Sequence, residues 1–241
     1  MNVTVIIPAR YGSTRFPGKP LATILGKPMI QHVYENVSAS TLVHEVIVAT
    51  DDERIKKVVE GFNGKCFLTT KDHATGTDRI AEVAEGLNTD IVVNVQGDEP
   101  LISADLIERL IQPFLSDETL QMATLKTKIN QSEDIENPNV VKVITNKDHH
   151  AIYFSRSTIP YNREKIDIDY FKHIGVYAYR RSFLFDYIKL PESLLEKAES
   201  LEQLRAIENG HSIYVSEVKS ELIGVDVPED VEKVEAFLKA R

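Results

Sequence analysis

Val3, Val5, Ile6 and Ile7 form an apolar run interrupted only by Thr4 and ended by Pro8. A β-branched run of this length predicts a buried strand. The next apolar positions, Met29, Ile30, Val33, Tyr34 and Val37, recur at three- and four-residue intervals and predict a helix. The two patterns then alternate. Residues 45–50 predict a strand. Ile55, Val58, Val59 and Phe62 mark a helix that Asp51 or Asp52 can cap. Residues 65–69 read as a short strand and 77–87 as a helix with Ile80, Ala81, Val83, Ala84 and Leu87 on one side. Residues 91–95 read as another strand, and Ser103 caps the helix after it.

Strands that are nearly all apolar, separated by helices, predict a parallel sheet covered on both faces. Ligands of such sheets sit beyond the carboxyl ends of the strands. That rule puts the loops after Ile7, Thr50 and Val95 on one rim. The pattern changes after about residue 119. Residues 140–145 and 150–156 predict a hairpin turned by Asn146-Lys147-Asp148, and 173–180 a further strand. Helix follows from Ser182. Leu201, Leu204 and Ile207 mark a later helix, 213–218 a strand, and 228–241 a final helix with proline in its first turn. The expectation is one α/β domain over 1–241, with a β-rich arm near 140–180 of the kind that makes dimers. There is no internal repeat and no low-complexity run.

Composition narrows the function. Acids outnumber bases 37 to 28, a formal charge of −9. Such a chain is a poor candidate for wrapping nucleic acid or lying on an anionic membrane. Any anion it binds must be drawn in by a local basic site. The single cysteine, Cys66, excludes an intrachain disulfide, and no cysteine–histidine cluster offers a zinc site. The apolar run at 3–7 is too short for a signal peptide or a membrane span, so the expected location is the cytoplasm.

The local basic site is "IIPARYGSTRFPGKP", residues 6–20. Arg10, Arg15 and Lys19 lie on a loop at the first strand's carboxyl end, with Gly12 and Gly18 to let backbone approach a ligand. This suits a polyanion such as a nucleoside triphosphate. A P-loop is excluded, because five residues separate the glycines and Pro20 follows Lys19. "VNVQGDEP", residues 93–100, ends a strand on the same rim. Asp98 and Glu99 sit where a triphosphate needs magnesium, which takes one or two carboxylates plus phosphate oxygens and water. Gln96 offers a donor and an acceptor to a base or ribose. An ordinary acidic turn would read the same way. In "IGVDVPED", Asp226 precedes a helix and reads equally as a cap. Spacing alone does not pair it with Asp98.

These stretches, with "DHATGTDRIAEV", "NPNVVKV", "YFSRSTIP", "HIGVYAYR", "SLEQLR" and "GVDVPEDVEKV", resemble the 3-deoxy-manno-octulosonate cytidylyltransferase family, the CMP-Kdo synthetases. The resemblance covers nearly the whole chain. It implies a mostly parallel Rossmann-like sheet of the nucleotidyltransferase (GT-A-like) type with a β-rich insertion. It implies the reaction of CTP with the eight-carbon acidic sugar Kdo to give CMP-Kdo and diphosphate, with Mg²⁺, for lipopolysaccharide synthesis. By the match, Lys19, Arg10 and Asp98 are catalytic. Arg10, Ser13, Arg15, Lys19, His73, Thr75, Gly76 and Gln96 bind the nucleotide. Asp98 and Asp226 hold the metal. Arg156, His173, Tyr177, Glu202 and Gln203 face the sugar, and a homodimer is implied.

Bland readings stand beside these roles. His73 could cap a helix, His173 and Tyr177 could pack in a sheet, Arg156 could pair with a surface acid, and Glu202 and Gln203 could be a solvated helix face. Rival functions are a cytidylyltransferase for 8-amino-Kdo or a sialic-acid-like sugar, a nucleotide-sugar glycosyltransferase, and a non-catalytic nucleotide binder.

Overall fold

Strand β1 (Val3–Ala9) is buried along its whole length, as its β-branched run predicts. The computed structural model to which it belongs describes residues 1–12, 15–70, 73–219 and 224–240. The chain divides into two compact units, Met1–Glu108 with Leu222–Arg241, and Arg109–Glu221.

In the first unit β1 leads to a two-stranded hairpin, β2 (Thr23–Ile24) and β3 (Lys27–Pro28), then helix α1 (Met29–Ser38). The alternation continues through β4 (Glu45–Thr50), α2 (Glu53–Gly61), β5 (Lys65–Leu68), α3 (Gly76–Glu85) and β6 (Ile91–Asn94) to α4 (Ala104–Ser116), whose residues from Arg109 onward belong to the second unit. β1 pairs in parallel with β4 and with β6, and β4 with β5, so the order is β6-β1-β4-β5. Val5 sits between Val46 and Val93 in this register, all three buried. Helices α1, α2 and α3 pack on these strands. Side-chain caps start two of these helices. Asp52 accepts from Arg54 N at 2.9 Å to start α2. Thr75 and Asp78 form a reciprocal capping box at α3. The β2–β3 hairpin carries no periodic signal and is absent from the sequence expectation. Its turn is Leu25-Gly26, both at positive φ, the geometry of a tight hairpin.

In the second unit the strands are β7 (Met122–Lys128), β8 (Lys142–Thr145), β9 (Ala151–Ser155), β10 (Phe171–Arg180) and β11 (Ile213–Val218). The helices are α5 (Ser132–Glu136), α6 (Arg181–Tyr187), α7 (Leu194–Glu199) and α8 (Leu204–Glu208). β7 pairs antiparallel with β10 and parallel with β11. The expected β8–β9 hairpin is present. Asn146 Oδ1 accepts from Asp148 N and His150 N at its turn. β7 carries no clear strand signal because "MATLKTK" looks half polar, yet only Lys128 of it is exposed. Lys126 lays its stem inside and ends 4.2 Å over the Phe171 ring and 2.9 Å from Thr145 Oγ1.

The chain returns to the first unit as α9 (Glu229–Lys239), which starts one residue after Pro228 with Glu229, Asp230 and Glu232 in its first turn. Val234 joins Ile24, Met29, Leu101 and Val225 in a buried cluster flanked by Phe16 and Phe237. The carboxyl-terminal segment is thereby packed against the residues that follow the opening loop. The architecture is the mixed α/β one expected, and the pairings among β6, β1, β4 and β5 are all parallel. No helix among the described residues is long and apolar enough to cross a membrane.

Candidate active site

The opening loop folds back on itself. Gly18 N donates to Tyr11 O at 2.8 Å. Gly18 has φ 72°, and a Cβ there would lie 3.1 Å from the Tyr11 ring, so glycine is required on both counts. The same ring carries the Arg54 guanidinium, 3.3 Å from its centre. Tyr11 thus fills the loop from within. Lys19 then opens a single 3-10 turn, with Leu21 N donating to Gly18 O.

That turn aims Lys19 at two carboxylates. Its Nζ donates to Asp98 Oδ2 at 2.5 Å and to Val225 O at 2.9 Å, and lies 3.7 Å from Asp226 Oδ1. Arg15 grips both oxygens of Asp226, at 3.2 and 3.3 Å. Asp98 O also accepts from Val225 N at 3.0 Å, tying the two acidic loops together through backbone. Gly97 permits the approach, since a Cβ there would lie 3.2 Å from Pro8 O. Asp226 is no cap. Asp230 Oδ2 accepts from the Asp226 and Val227 amides instead, which leaves the Asp226 side chain to the cations.

The remaining nucleotide candidates lie along the same unit. Arg10 Nη2 reaches His73 O at 3.4 Å. His73 Nε2 pairs with Glu82 and lies 3.1 Å from Thr70 Oγ1. Glu82 is pushed up by burial, but hydrogen bonds from His73 and Thr70 outweigh that and hold its pKa below the usual range. Thr75 is the cap of α3, and Gly76, its first residue, would bring a Cβ to 3.5 Å from the Pro8 ring. Gln96 Nε2 reaches Asn94 Oδ1 at 3.4 Å. Ser13 lies outside the described residues. Sequence reasoning missed Tyr11, Arg54, Glu82 and Arg79. Arg79 is 1% exposed and ties Thr69 and Asp51, at the ends of β5 and β4, to α3. An arginine inside an apolar helix face was the available signal.

Among the described residues no group of three or more His, Cys, Asp or Glu side chains is placed to hold a metal ion. Asp98 and Asp226 nevertheless both reach one cation, the Lys19 ammonium. Two carboxylates completed by phosphate oxygens and water make a donor set that magnesium takes, so the residues present fit that ion.

Residues 4–214 match the family model described as Cytidylyltransferase. The chain is 52% identical over 250 residues to the 3-deoxy-manno-octulosonate cytidylyltransferase of Geobacter sulfurreducens, covering 99% of this chain and 100% of that one. It is 49% identical to the protein of that name from Solibacter usitatus, covering 98% and 94%. A solved structure of CMP:2-keto-3-deoxy-manno-octonic acid synthetase complexed with CTP superposes with a TM-score of 0.96 at 48% identity, over 100% of this chain and 99% of the other. The chain belongs to the 3-deoxy-manno-octulosonate cytidylyltransferase family. A 4-diphosphocytidyl-2C-methyl-D-erythritol synthase from Anaerococcus prevotii, at 17% identity and TM-score 0.65 over 99% and 96%, shares the fold alone.

The sugar candidates of this cytidylyltransferase all belong to the second unit. His173, on β10, lies 2.9 Å from Thr124 Oγ1, on β7. The carbonyls of Ile174 and Val176 take that hydroxyl's one proton, so His173 Nε2 donates to it. Burial pulls the imidazole pKa down to about 3 and keeps it neutral. The Tyr177 ring sits 5.4 Å from that of His173. Burial and the Glu202 carboxylate both raise its phenol pKa. Glu202 O accepts from Tyr187 Oη at 2.7 Å. Gln203 is 4% exposed, and its Nε2 has no hydrogen-bond partner among the described residues. Arg156 is no surface ion pair. Its Nε donates to Glu199 O at 2.7 Å, Nη1 to Pro138 O at 3.0 Å and Nη2 to Ser200 O at 3.5 Å.

Proposed function

We infer that this chain transfers the cytidylyl group of CTP to the anomeric hydroxyl of Kdo, giving CMP-Kdo and diphosphate. The observation that carries the reading is the Lys19 ammonium set against Asp98 and Asp226, with Arg15 beside it, beyond the carboxyl end of β1. It stands in a chain about half identical, end to end, to proteins named for that reaction.

The roles follow from charge. Arg10, Ser13, Arg15 and Lys19 bind the triphosphate oxygens, with His73, Thr75, Gly76 and Gln96 lining the nucleotide. Asp98 and Asp226 hold magnesium, which when bound neutralises phosphate charge. Lys19 donates to the α-phosphate as charge grows there. The sugar hydroxyl oxygen attacks that phosphorus in line, the new O–P bond forms as the bond from phosphorus to the bridging β-phosphate oxygen breaks, diphosphate leaves, and the hydroxyl proton passes to solvent.

The second unit supplies the sugar contacts. Three of the five N–H groups of Arg156 are taken by carbonyls. The two that remain suit a carboxylate. Gln203 Nε2, a buried donor with no partner among the described residues, suits a sugar hydroxyl. Tyr177, Glu202 and neutral His173 offer further polar tips. The same reading carries a cytoplasmic homodimer, built on the β-rich segment near 140–180, that feeds lipopolysaccharide synthesis.

The test is diphosphate release with Mg²⁺, offering CTP, ATP, GTP and UTP with Kdo, 8-amino-Kdo and N-acetylneuraminate. Release confined to CTP with Kdo is expected. Release with CTP and another acid sugar corrects the acceptor. No release in any combination overturns the reading.

A further inference from the structure

Lys142, on β8, is completely buried. A buried ammonium is costly unless hydrogen bonds satisfy it. Its three donors all end on backbone carbonyls, Asn137 O at 2.9 Å, Val140 O at 2.7 Å and Arg156 O at 2.6 Å. These partners share one neighbour. Asn137 and Val140 bracket Pro138, whose carbonyl accepts from Arg156 Nη1, and the third carbonyl is that of Arg156 itself. Glu199 grips the same residue from α7. Its Oε2 accepts from Arg156 N at 2.9 Å, its Oε1 from Ser155 Oγ at 2.6 Å, and its own carbonyl from Arg156 Nε.

We propose that Lys142 is a positioning residue for Arg156, and that with Glu199 it holds the guanidinium so that its two remaining N–H groups are presented to the sugar carboxylate. This rests on the reading of Arg156 as the carboxylate ligand. Lys142 touches neither substrate. It acts by fixing the backbone of Arg156 and the loop on which the guanidinium rests, so the fork is preorganised before sugar arrives. A rigid fork loses less freedom on binding than a mobile one, and the consequence falls on the sugar rather than on CTP.

The experiment is steady-state kinetics on Lys142→Met, Arg156→Ala and the double variant, with Kdo and CTP varied separately. Lys142→Met is expected to raise KM for Kdo about tenfold and leave KM for CTP within about twofold. Arg156→Ala is expected to raise KM for Kdo further, and the double variant to match Arg156→Ala alone, because both act through one side chain. Loss of Lys142 that adds in full to loss of Arg156, or that raises both KM values together, marks a merely structural lysine and overturns the proposal. A normal KM for Kdo in Lys142→Met, with Arg156→Ala impaired, overturns it while leaving the role of Arg156 intact. A normal KM in Arg156→Ala removes that role and the proposal with it. If Lys142→Met does not fold, Glu199→Gln decides. A selective rise in KM for Kdo of a few fold supports the arrangement, and no selective rise overturns it.

Discussion

In the first unit Lys19 ends among carboxylates that solvent still reaches, Asp98 at 34% and Asp226 at 57% side-chain exposure. In the second, Lys142 ends on three carbonyls with nothing exposed, and Glu196 with Arg205 forms an ion pair only about a tenth exposed. The same residue types do different work because their partners differ. Around Lys19 the two cations and two carboxylates are paired but the carboxylates remain accessible, so a triphosphate and a divalent cation can exchange partners with them. Around Lys142 every donor is committed, so the charges build shape. An accessible network favours chemistry, and a closed one favours geometry.

Breaking the first network should remove activity without unfolding the protein. Asp98→Asn is expected to lower kcat for diphosphate release about a thousandfold, as for loss of a group acting on transition-state charge. Its thermal midpoint should stay within a few degrees of the parent. An unfolded Asp98→Asn would recast the residue as structural and dissolve the contrast.

The second network should behave the opposite way. Arg205→Ala strands the buried Glu196 carboxylate, to which Arg205 Nε donates at 2.8 Å. The expected loss is about 3 kcal/mol of stability in urea titration, with KM for CTP unchanged in protein that remains folded. A stability equal to the parent's would mean that the pair is not closed.

Lys19→Ala sharpens the comparison within the first unit. Turnover is expected to fall about a hundredfold while CTP affinity, measured by calorimetry, falls by less than about fivefold. Equal losses would make Lys19 a binding residue only.

The smallest effect concerns His173. Burial holds its folded pKa at about 3, below the 6.5 of an exposed imidazole. Between those values the unfolded chain binds the extra proton, so stability rises with pH across that window and falls as pH drops from about 6.5 toward 3. His173→Gln removes this slope. The thermal-midpoint gap between parent and variant should therefore narrow on acidification from pH 7 to pH 5, and a constant gap would sink the assignment.

Much of the first unit was legible because its residues are locally consistent. The β-branched runs of β1, β4 and β6 and the capping residues Asp52 and Ser103 each state their element without help from elsewhere. β7 and the β2–β3 hairpin were not legible. The first depends on Lys126 burying its stem against Phe171. The second depends on α9, whose Glu235 accepts from Leu25 N at 2.9 Å.

By itself the sequence determined the alternating α/β order, the basic loop at the carboxyl end of β1, and through its many ordered motifs the family. Those signals are local, and each is written in a few neighbouring residues. Tertiary structure decided which carboxylates meet Lys19, and that Arg156 rests on carbonyls arranged by Lys142. Each of these joins residues distant in the chain, where hydrogen-bond geometry and burial, rather than spacing, select the partner.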